Sequence, residues 1–344
     1  MRIVHVICSD RFAGVEQFVL RLAVEQARAG HSVHVAGGSG ARMTGPLTEA
    51  TATWEPVTGM FGAWRAVRRH APDADVIASH MTDADVAASW ALGGGGPALV
   101  STRHFAAPRG GVGPIRADAI VRRRVNAEIS ISTAVANAVG VPSVVVHSGV
   151  PISDVPVDRP PSQKRVLMVQ RLQPEKRTDV GVRAFAASGL AVEGWRLDIA
   201  GEGRLLPELR ALVDELGLSG SVTLLGFRTD LPALHAQSSL FLAPCDVEGL
   251  GLAVLEAMSA GLAPVAADSA GHRDVIEGLD ARAGFRSNDV EDAAAALRAF
   301  ADDPDRRHAL EEAARARALT EFSLARQAQR TDEVYRDAIA GRRR

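Results

Sequence analysis

Glu248 and Glu256 sit in a segment whose residue types suit ligand chemistry: Pro244-Cys245-Asp246-Val247-Glu248-Gly249-Leu250-Gly251-Leu252-Ala253-Val254-Leu255-Glu256-Ala257-Met258-Ser259-Ala260-Gly261. A strand-like run ending at Ala243 passes through a loop with two glycines and opens a helix. Glycine lets backbone approach a ligand, and the free N–H groups of a helix start attract phosphate. Glutamates eight positions apart on one helix stand about 12 Å apart along its axis. Hydrolytic carboxylate pairs work at about 5–9.5 Å, so each glutamate reads instead as gripping a different part of one extended ligand. A second cluster, Val169-Gln170-Arg171-Leu172-Gln173-Pro174-Glu175-Lys176-Arg177-Thr178-Asp179, follows a strand and precedes a helix. Its Arg171 offers a planar fork and its Lys176 a point charge, a combination suited to a diphosphate. Surface acids at a helix start and solvated loop charges are the competing readings, and spacing alone leaves both open.

These clusters need a scaffold, and the apolar pattern supplies one. Ile3–Cys8, Val33–Ala36, Val76–Ser79, Leu99–Ser101, Glu128–Ser132 and Val144–His147 are apolar runs of strand length. Val15–Ala29 repeats apolar residues at helical spacing and stops at Gly30. Residues 151–164, crowded with Pro151, Pro156, Pro160 and Pro161, read as a linker. A second series follows, with strands at Arg165–Val169, Arg196–Ala200, Val222–Leu225, Ser239–Ala243 and Ala263–Ala266. Helices fall at Asp179–Ala187, Leu206–Leu216 and Gly251–Ala260, and the chain is helical from Glu291 onward. Such alternation predicts an α/β protein of two doubly wound, Rossmann-like domains, 1–150 and 165–325, with a terminal helix at 326–344 that packs back on the first. A length of 344 residues agrees, at about 150 residues per domain. Ligands of such sheets sit at the carboxyl ends of the strands, so a site in a cleft between the domains is expected.

Composition narrows the function classes. The chain is 47% hydrophobic and 23% charged, with 39 basic and 41 acidic residues for a net charge of −2, which is not the electrostatic footprint of a nucleic-acid binder. Cys8 and Cys245 are its two cysteines, too few for a disulfide scaffold or a cysteine-built metal cluster. It has no apolar run of about 18 residues and no signal peptide at Met1–Ile7, so a cytoplasmic protein without a membrane span is expected.

Taken together, the two clusters resemble the retaining nucleotide-sugar glycosyltransferases of the GT-B fold, in particular glycosyltransferase family 4 (glycosyl transferases group 1). Glu248…Glu256 looks like that family's Glu-x7-Glu element. Gln170-Arg171-Leu172…Lys176 matches its Gly-Arg-Leu…Lys donor loop, with Gln in place of the first Gly. Phe12-Ala13-Gly14-Val15-Glu16 is similar to the N-terminal glycine loop, and Ala29-Gly30-His31-Ser32-Val33 to the helix end that follows. His147-Ser148-Gly149-Val150 stands where Asn-Gly-Val is common. Ile199-Ala200-Gly201-Glu202-Gly203 and Leu225-Gly226-Phe227 look like strand ends of the donor domain, so the likeness runs through nearly the whole chain.

The resemblance implies a role for each matching residue. Arg171 and Lys176 bind the donor diphosphate and stabilise the charge that grows there as the glycosidic bond breaks. Glu256 bonds the ribose hydroxyls, and Glu248 holds the hydroxyls of the donor sugar. The N–H groups of Gly249, Leu250, Gly251 and Leu252 add phosphate contacts, backbone near Gly226 and Phe227 frames the base, and Gly14 belongs to a donor-contacting loop. His104, in Ser101-Thr102-Arg103-His104-Phe105, resembles the histidine that faces the donor sugar across the cleft. A histidine by itself is more often structural; its position at a strand end favours the functional role. No cofactor and no metal ion are implied beyond the nucleoside-diphosphate sugar, because protein cations neutralise the leaving group. Closure about the 151–164 hinge is expected to exclude water.

Several features depart from that pattern or distract from it. The N-terminal loop reads Ala13-Gly14 where two glycines are frequent, and Gly271-His272-Arg273-Asp274 carries Asp where Glu is frequent, which bears on sugar selectivity. Gly201-Glu202-Gly203 is no dinucleotide fingerprint, since Leu206 takes the third glycine's place. Asp73-Ala74-Asp75 and Asp83-Ala84-Asp85 mimic metal-binding triplets but read as a strand edge and a helix cap. Residues 61–124 hold nine arginines against five acids, including Arg65, Arg68, Arg69 and Arg122–Arg124. This excess reads as a solvated helix face, or else as a seat for a phosphorylated acceptor or an anionic membrane surface. The expected function is transfer of a hexose-type sugar, with retention, from a nucleoside diphosphate to the hydroxyl of an unidentified acceptor. The alternatives are a nucleotide-sugar 2-epimerase-like isomerase and a non-catalytic nucleotide-sugar-binding partner subunit.

Overall fold

The computed structural model describes residues 1–112, 115–152 and 163–342. Most of the expected linker, Pro156, Pro160 and Pro161 included, lies outside the described residues, as do Arg343 and Arg344. The chain divides into two compact units, Met1–Gly149 with Leu324–Arg344, and Val150–Ser323.

The N-terminal unit contains β1 (Arg2–Val6), β2 (Ser32–Ala36), β3 (Thr53–Glu55), β4 (Val76–His80), β5 (Ala98–Arg103), a small antiparallel pair β6 (Gly111–Val112) and β7 (Ile115–Arg116), β8 (Ala127–Ser130) and β9 (Val144–Val145). Seven of these form one sheet in the order β3-β2-β1-β4-β5-β8-β9, and each neighbouring pair is parallel. Successive side chains of a strand face opposite ways, so both faces of this sheet must be covered. Val4, Val6, Ile77 and Leu99 pack on alanines and Val67 of the helices Gly59–His70 and Thr82–Leu92. On the other face, Ile7, Val33 and Val35 meet Phe18, Val19 and Leu22 of the helix Gly14–Arg28. Ile3, Val76 and Val100 meet Val334, Tyr335 and Ala338 of the helix Leu324–Arg342. That terminal helix therefore completes the core of the N-terminal unit.

The C-terminal unit contains β10 (Arg165–Val169), β11 (Arg196–Ala200), β12 (Val222–Gly226), β13 (Leu240–Ala243), β14 (Ala263–Ala267) and β15 (Gly284–Phe285), in the parallel order β12-β11-β10-β13-β14-β15. Along β10, Val166 and Met168 face one core with Phe185, Leu209 and Phe300, while Leu167 faces the other with Val254, Leu255 and Met258. Each fully buried Phe or Leu contributes about 1.5–3 kcal/mol relative to exposure. Both units are thus doubly wound parallel sheets.

Three local differences from the sequence reading have identifiable causes. β8 ends at Ser130 because Ser132 leaves the strand to cap the helix Thr133–Val139, its hydroxyl accepting from the Val135 N–H at 3.1 Å. The helix expected at Gly251–Ala260 starts at Leu252, since Gly251 holds φ +103° and lies outside it. Asp83 is not a cap: Met81 precedes the helix, Asp83 lies in its first turn, and Asp85 is wholly buried in an ion pair. Asp75 does hold a strand edge, accepting from the Arg2 N–H at 2.7 Å.

Candidate functional site

In the C-terminal unit, candidate residues gather beyond the ends of β10 and β13. Gln170, the first residue past β10, carries a side chain where the resembled loop has none. Its Nε2 donates to the Lys176 carbonyl at 3.1 Å and to Thr178 Oγ1 at 2.8 Å, which closes residues 170–178 into a braced loop. Leu172 is fully buried beneath that loop, and its N–H bonds the Glu202 carbonyl at 2.8 Å. Gly201 explains the neighbouring Gly-Glu-Gly: a Cβ there would fall 1.8 Å from the Gln170 carbonyl oxygen. Close backbone packing, not dinucleotide binding, requires that glycine.

Lys176 reaches from the braced loop to Glu248 and forms an ion pair and hydrogen bond with it. Their side chains are only 15% and 26% exposed, so the pair is partly withdrawn from water. Burial alone would raise the Glu248 carboxyl, but the Lys176 charge and hydrogen bond outweigh burial and hold it below its ordinary range. Glu248 lies in the loop and Glu256 on the helix Leu252–Ser259, so the axial spacing computed for a single helix does not apply to them. Gly251, in the left-handed region, turns the chain into that helix; a Cβ there would meet His272 Cδ2 at 2.5 Å. The N–H groups of Leu252, Ala253 and Val254 then fall in the first turn, where the helix itself supplies no acceptors.

Arg171 does not join Glu248. Its guanidinium pairs with Glu175 at 3.2 Å and its side chain is 70% exposed. The Cys245 thiol donates to the Glu175 carbonyl at 3.2 Å, tying the two loops together. Burial pushes that thiol up to about 11, so it is a structural donor and not a nucleophile. Gly226 ends β12 with φ +68° and accepts from the Gly201 N–H at 2.8 Å, and Phe227 beyond it is 69% exposed. His272, quoted from the sequence in Gly271-His272-Arg273-Asp274 only for the Asp of that run, belongs to this site. It is buried beside Gly251, and burial drives its pKa down to about 4, so it is neutral at pH 7. Its signal in the sequence is position alone, next to the Gly271 whose N–H bonds the Glu248 carbonyl at 2.9 Å.

In the N-terminal unit, His104 follows β5 directly and is 8% exposed. Its Nε2 lies 3.2 Å from His80 Nδ1, and His80 Nε2 lies 3.0 Å from His5 Nδ1. Gly14 opens the helix Gly14–Arg28, and a Cβ there would meet nothing within 4 Å. Glu16, quoted from the sequence within the glycine loop but given no role of its own, accepts from the Ala13 N–H at 2.9 Å and from the Ser9 hydroxyl, and so braces the loop past β1.

Part of the arginine excess at 61–124 is internal. Arg109 is buried among Asp85 (2.7 Å), Glu128 (2.8 Å) and Ser101 (2.8 Å). Arg124 binds the Pro97 carbonyl at 2.7 Å, and burial lowers it to about 10, so this arginine is not part of a solvated face. His34, Glu55 and His70 bring ligand-type atoms within 4.8 Å of one another. Arg69 already pairs with Glu55, however, and the two imidazoles stack at 4.0 Å, which sets their in-plane lone pairs side by side. Among the described residues, no helix is long and apolar enough to cross a membrane.

Two doubly wound parallel units, of seven and six strands, match the build of GT-B proteins. The solved structure of Anabaena HepE in complex with UDP shares this fold, with a TM-score of 0.78 at 20% identity over 98% of this chain and 100% of that one. Residues 12–154 match the family described as Glycosyltransferase Family 4, and residues 151–317 match Glycosyl transferases group 1. The chain belongs to these GT-B glycosyltransferases. An exopolysaccharide phosphotransferase of Streptomyces coelicolor is 38% identical over 136 residues, covering 39% of this chain and 14% of that protein. A GDP-mannose-dependent alpha-(1-6)-phosphatidylinositol monomannoside mannosyltransferase of Mycobacterium tuberculosis is 38% identical over 121 residues, 33% of this chain and 31% of its own length. The chain thus matches less than a third of either relative's length.

Proposed function

We infer that this protein is a retaining glycosyltransferase that moves a hexose-type sugar from a nucleoside diphosphate to an acceptor hydroxyl without a metal ion. The observation that carries the reading is the Lys176–Glu248 pair, set beside the helix start at Gly251. A donor would exchange partners with both groups. Lys176 gives up Glu248 for a phosphate oxygen, and Glu248 gives up the ammonium for hydroxyls of the sugar. Arg171, held by a single exposed ion pair of little net strength, swings from Glu175 to the diphosphate. The bond from the anomeric carbon to the diphosphate oxygen breaks as the acceptor oxygen bonds that carbon from the same face. The acceptor's proton passes to the leaving phosphate. Negative charge grows on that phosphate, where Lys176, Arg171 and the N–H groups of Gly249 to Leu252 stabilise it.

A mannosyltransferase acting on GDP-mannose and a structure holding UDP stand among the similar proteins, so both nucleotides are donor candidates. The test is transfer, by the full chain, from UDP- and GDP-hexoses to a panel of hydroxyl acceptors, with the anomeric configuration of the product read by NMR. Transfer with retention supports the reading. Epimerised donor with no transfer would establish the isomerase instead, and binding with neither reaction would establish a partner subunit.

A further inference from the structure

The three histidines of the N-terminal unit occupy one diagonal of its sheet. His5 on β1 is opposite Ala78 of β4, His80 lies two residues beyond Ala78 and is opposite Thr102 of β5, and His104 lies two residues beyond Thr102. Residues two apart share a face of a strand, so each step moves one strand across and two residues along. The resulting chain of hydrogen bonds continues past His5. His5 Nε2 lies 2.8 Å from Gln26 Oε1, and Gln26 Nε2 donates to Asp332 Oδ1 at 2.7 Å. His5, His80, Gln26 and Asp332 are all buried, so water does not substitute for any link.

The chain reads in one direction only. A carboxylate oxygen accepts and cannot give, so Asp332 takes the Gln26 amide N–H and leaves the amide oxygen toward His5. His5 must then donate from Nε2. Burial holds all three imidazoles neutral, with His5 near 4 and His104 near 3, so each carries one proton. A neutral ring that donates from Nε2 accepts at Nδ1. His80 therefore donates to His5, and His104 donates to His80.

We propose that Asp332, acting through Gln26, His5 and His80, fixes His104 as the Nε2–H tautomer, so that its bare Nδ1 accepts a hydrogen bond from a hydroxyl of the sugar substrate. The substrate half of this proposal rests on the glycosyltransferase reading above; the tautomer half does not. A bare nitrogen repels a phosphate oxygen, so His104 is directed to a hydroxyl and away from the diphosphate. Asp332, Gln26, His5 and His80 are positioning residues, and Asp332 acts from a helix at the far end of the sequence.

The test is the nitrogen spectrum of the histidine rings in the ¹⁵N-labelled full chain at pH 7, with His104 assigned by comparison with His104→Phe. The expected result is a protonated Nε2 and a bare Nδ1 for His5, His80 and His104. Asp332→Asn offers Gln26 an N–H as well as an oxygen, which lets the amide turn over. A second set of His104 resonances, with Nδ1 protonated, is then expected. Gln26→Met, which removes the acceptor facing His5, is read in the same way and replaces Asp332→Asn if that variant does not fold. A protonated Nδ1 on His104 in the unaltered protein overturns the proposal, as does a single unchanged tautomer in the folded variants. The expected tautomers in a protein that transfers no sugar would support the relay and remove only the substrate assigned to it.

Discussion

In the C-terminal unit, the loops past β10 and β13 hold an ammonium against a carboxylate, both partly wetted. In the N-terminal unit, β1, β4 and the residue past β5 hold three neutral imidazoles in a dry file. Both sets hang on parallel sheets of the same winding, so topology does not decide the difference. The surroundings do. A braced loop and a glycine-opened helix keep Lys176 and Glu248 within reach of water and in charged form, whereas strand interiors strip the histidines of water and of charge. One arrangement suits a ligand that arrives charged, and the other suits a ligand recognised by the direction of a single hydrogen bond.

Lys176→Ala tests the charged side most severely. Turnover of a nucleotide sugar is expected to fall by about 10²–10³-fold, with thermal unfolding showing an intact fold. Unchanged turnover would break the contrast, because the ammonium would then be ornamental. The dry side answers to acid. Burial holds His5, His80 and His104 below the ordinary histidine pKa of 6.5 in the folded state, so the unfolded chain binds more protons as pH falls. Their stabilisation is complete above pH 6.5 and is lost progressively as pH falls toward 4. Glu248 loses its contribution in the same direction but at lower pH, since its depressed pKa keeps that contribution until pH falls below the ordinary carboxylate region. The C-terminal unit carries one such ring at its site, His272, also driven down to about 4 by burial, against these three, so hydrogen exchange, corrected for intrinsic rates, should show β1 and β4 losing more protection between pH 6.5 and 4.5 than β10 does. Equal loss in the two units would contradict the assignment of neutral rings.

Gly251→Ala sharpens the comparison by disturbing geometry without touching charge. The positive φ and the 2.5 Å approach to His272 predict about 1–3 kcal/mol of lost stability and weaker nucleotide binding, checked by urea unfolding and by titration. Glu175→Gln should do least. Its ion pair with Arg171 is exposed, so stability should change by less than about 0.5 kcal/mol as Arg171 is released.

The scaffold is largely legible in the sequence, and the pairings within it are not. Arg165–Val169 coincides with β10 because a central strand buried on both faces leaves an apolar run after its first residue, and Arg196–Ala200 coincides with β11 although buried Asp198, paired with Arg165, interrupts its apolar residues. β3 and β15 have three and two residues, too few to display a period, and β9 keeps only Val144–Val145 of the run expected at Val144–His147. The Arg171-Leu172…Lys176 and Glu248…Glu256 clusters are visible by type and spacing, but the contact between Lys176 and Glu248 depends on β10 lying beside β13, with Val166 opposite Leu240. Strand order, not local sequence, sets that neighbour. His5 and His80 are unremarked residues until the register places them on one diagonal with His104, and Asp332 until the helix Leu324–Arg342 brings it against Gln26. The brace from Gln170 is hidden for a different reason: a glutamine where the resembled loop has glycine reads as a departure until its two hydrogen bonds are seen.

Calorimetric titration of UDP and of GDP into the unaltered protein, Lys176→Ala and Glu248→Gln addresses the central claim most directly. If Lys176 is the diphosphate's cation and Glu248 the sugar's holder, Lys176→Ala weakens the preferred nucleotide by roughly tenfold to a hundredfold. Glu248→Gln, which removes a neighbouring negative charge, leaves that nucleotide bound as tightly or more so. Equal affinity in the unaltered protein and Lys176→Ala, or a loss in Glu248→Gln as large as that in Lys176→Ala, would contradict the account.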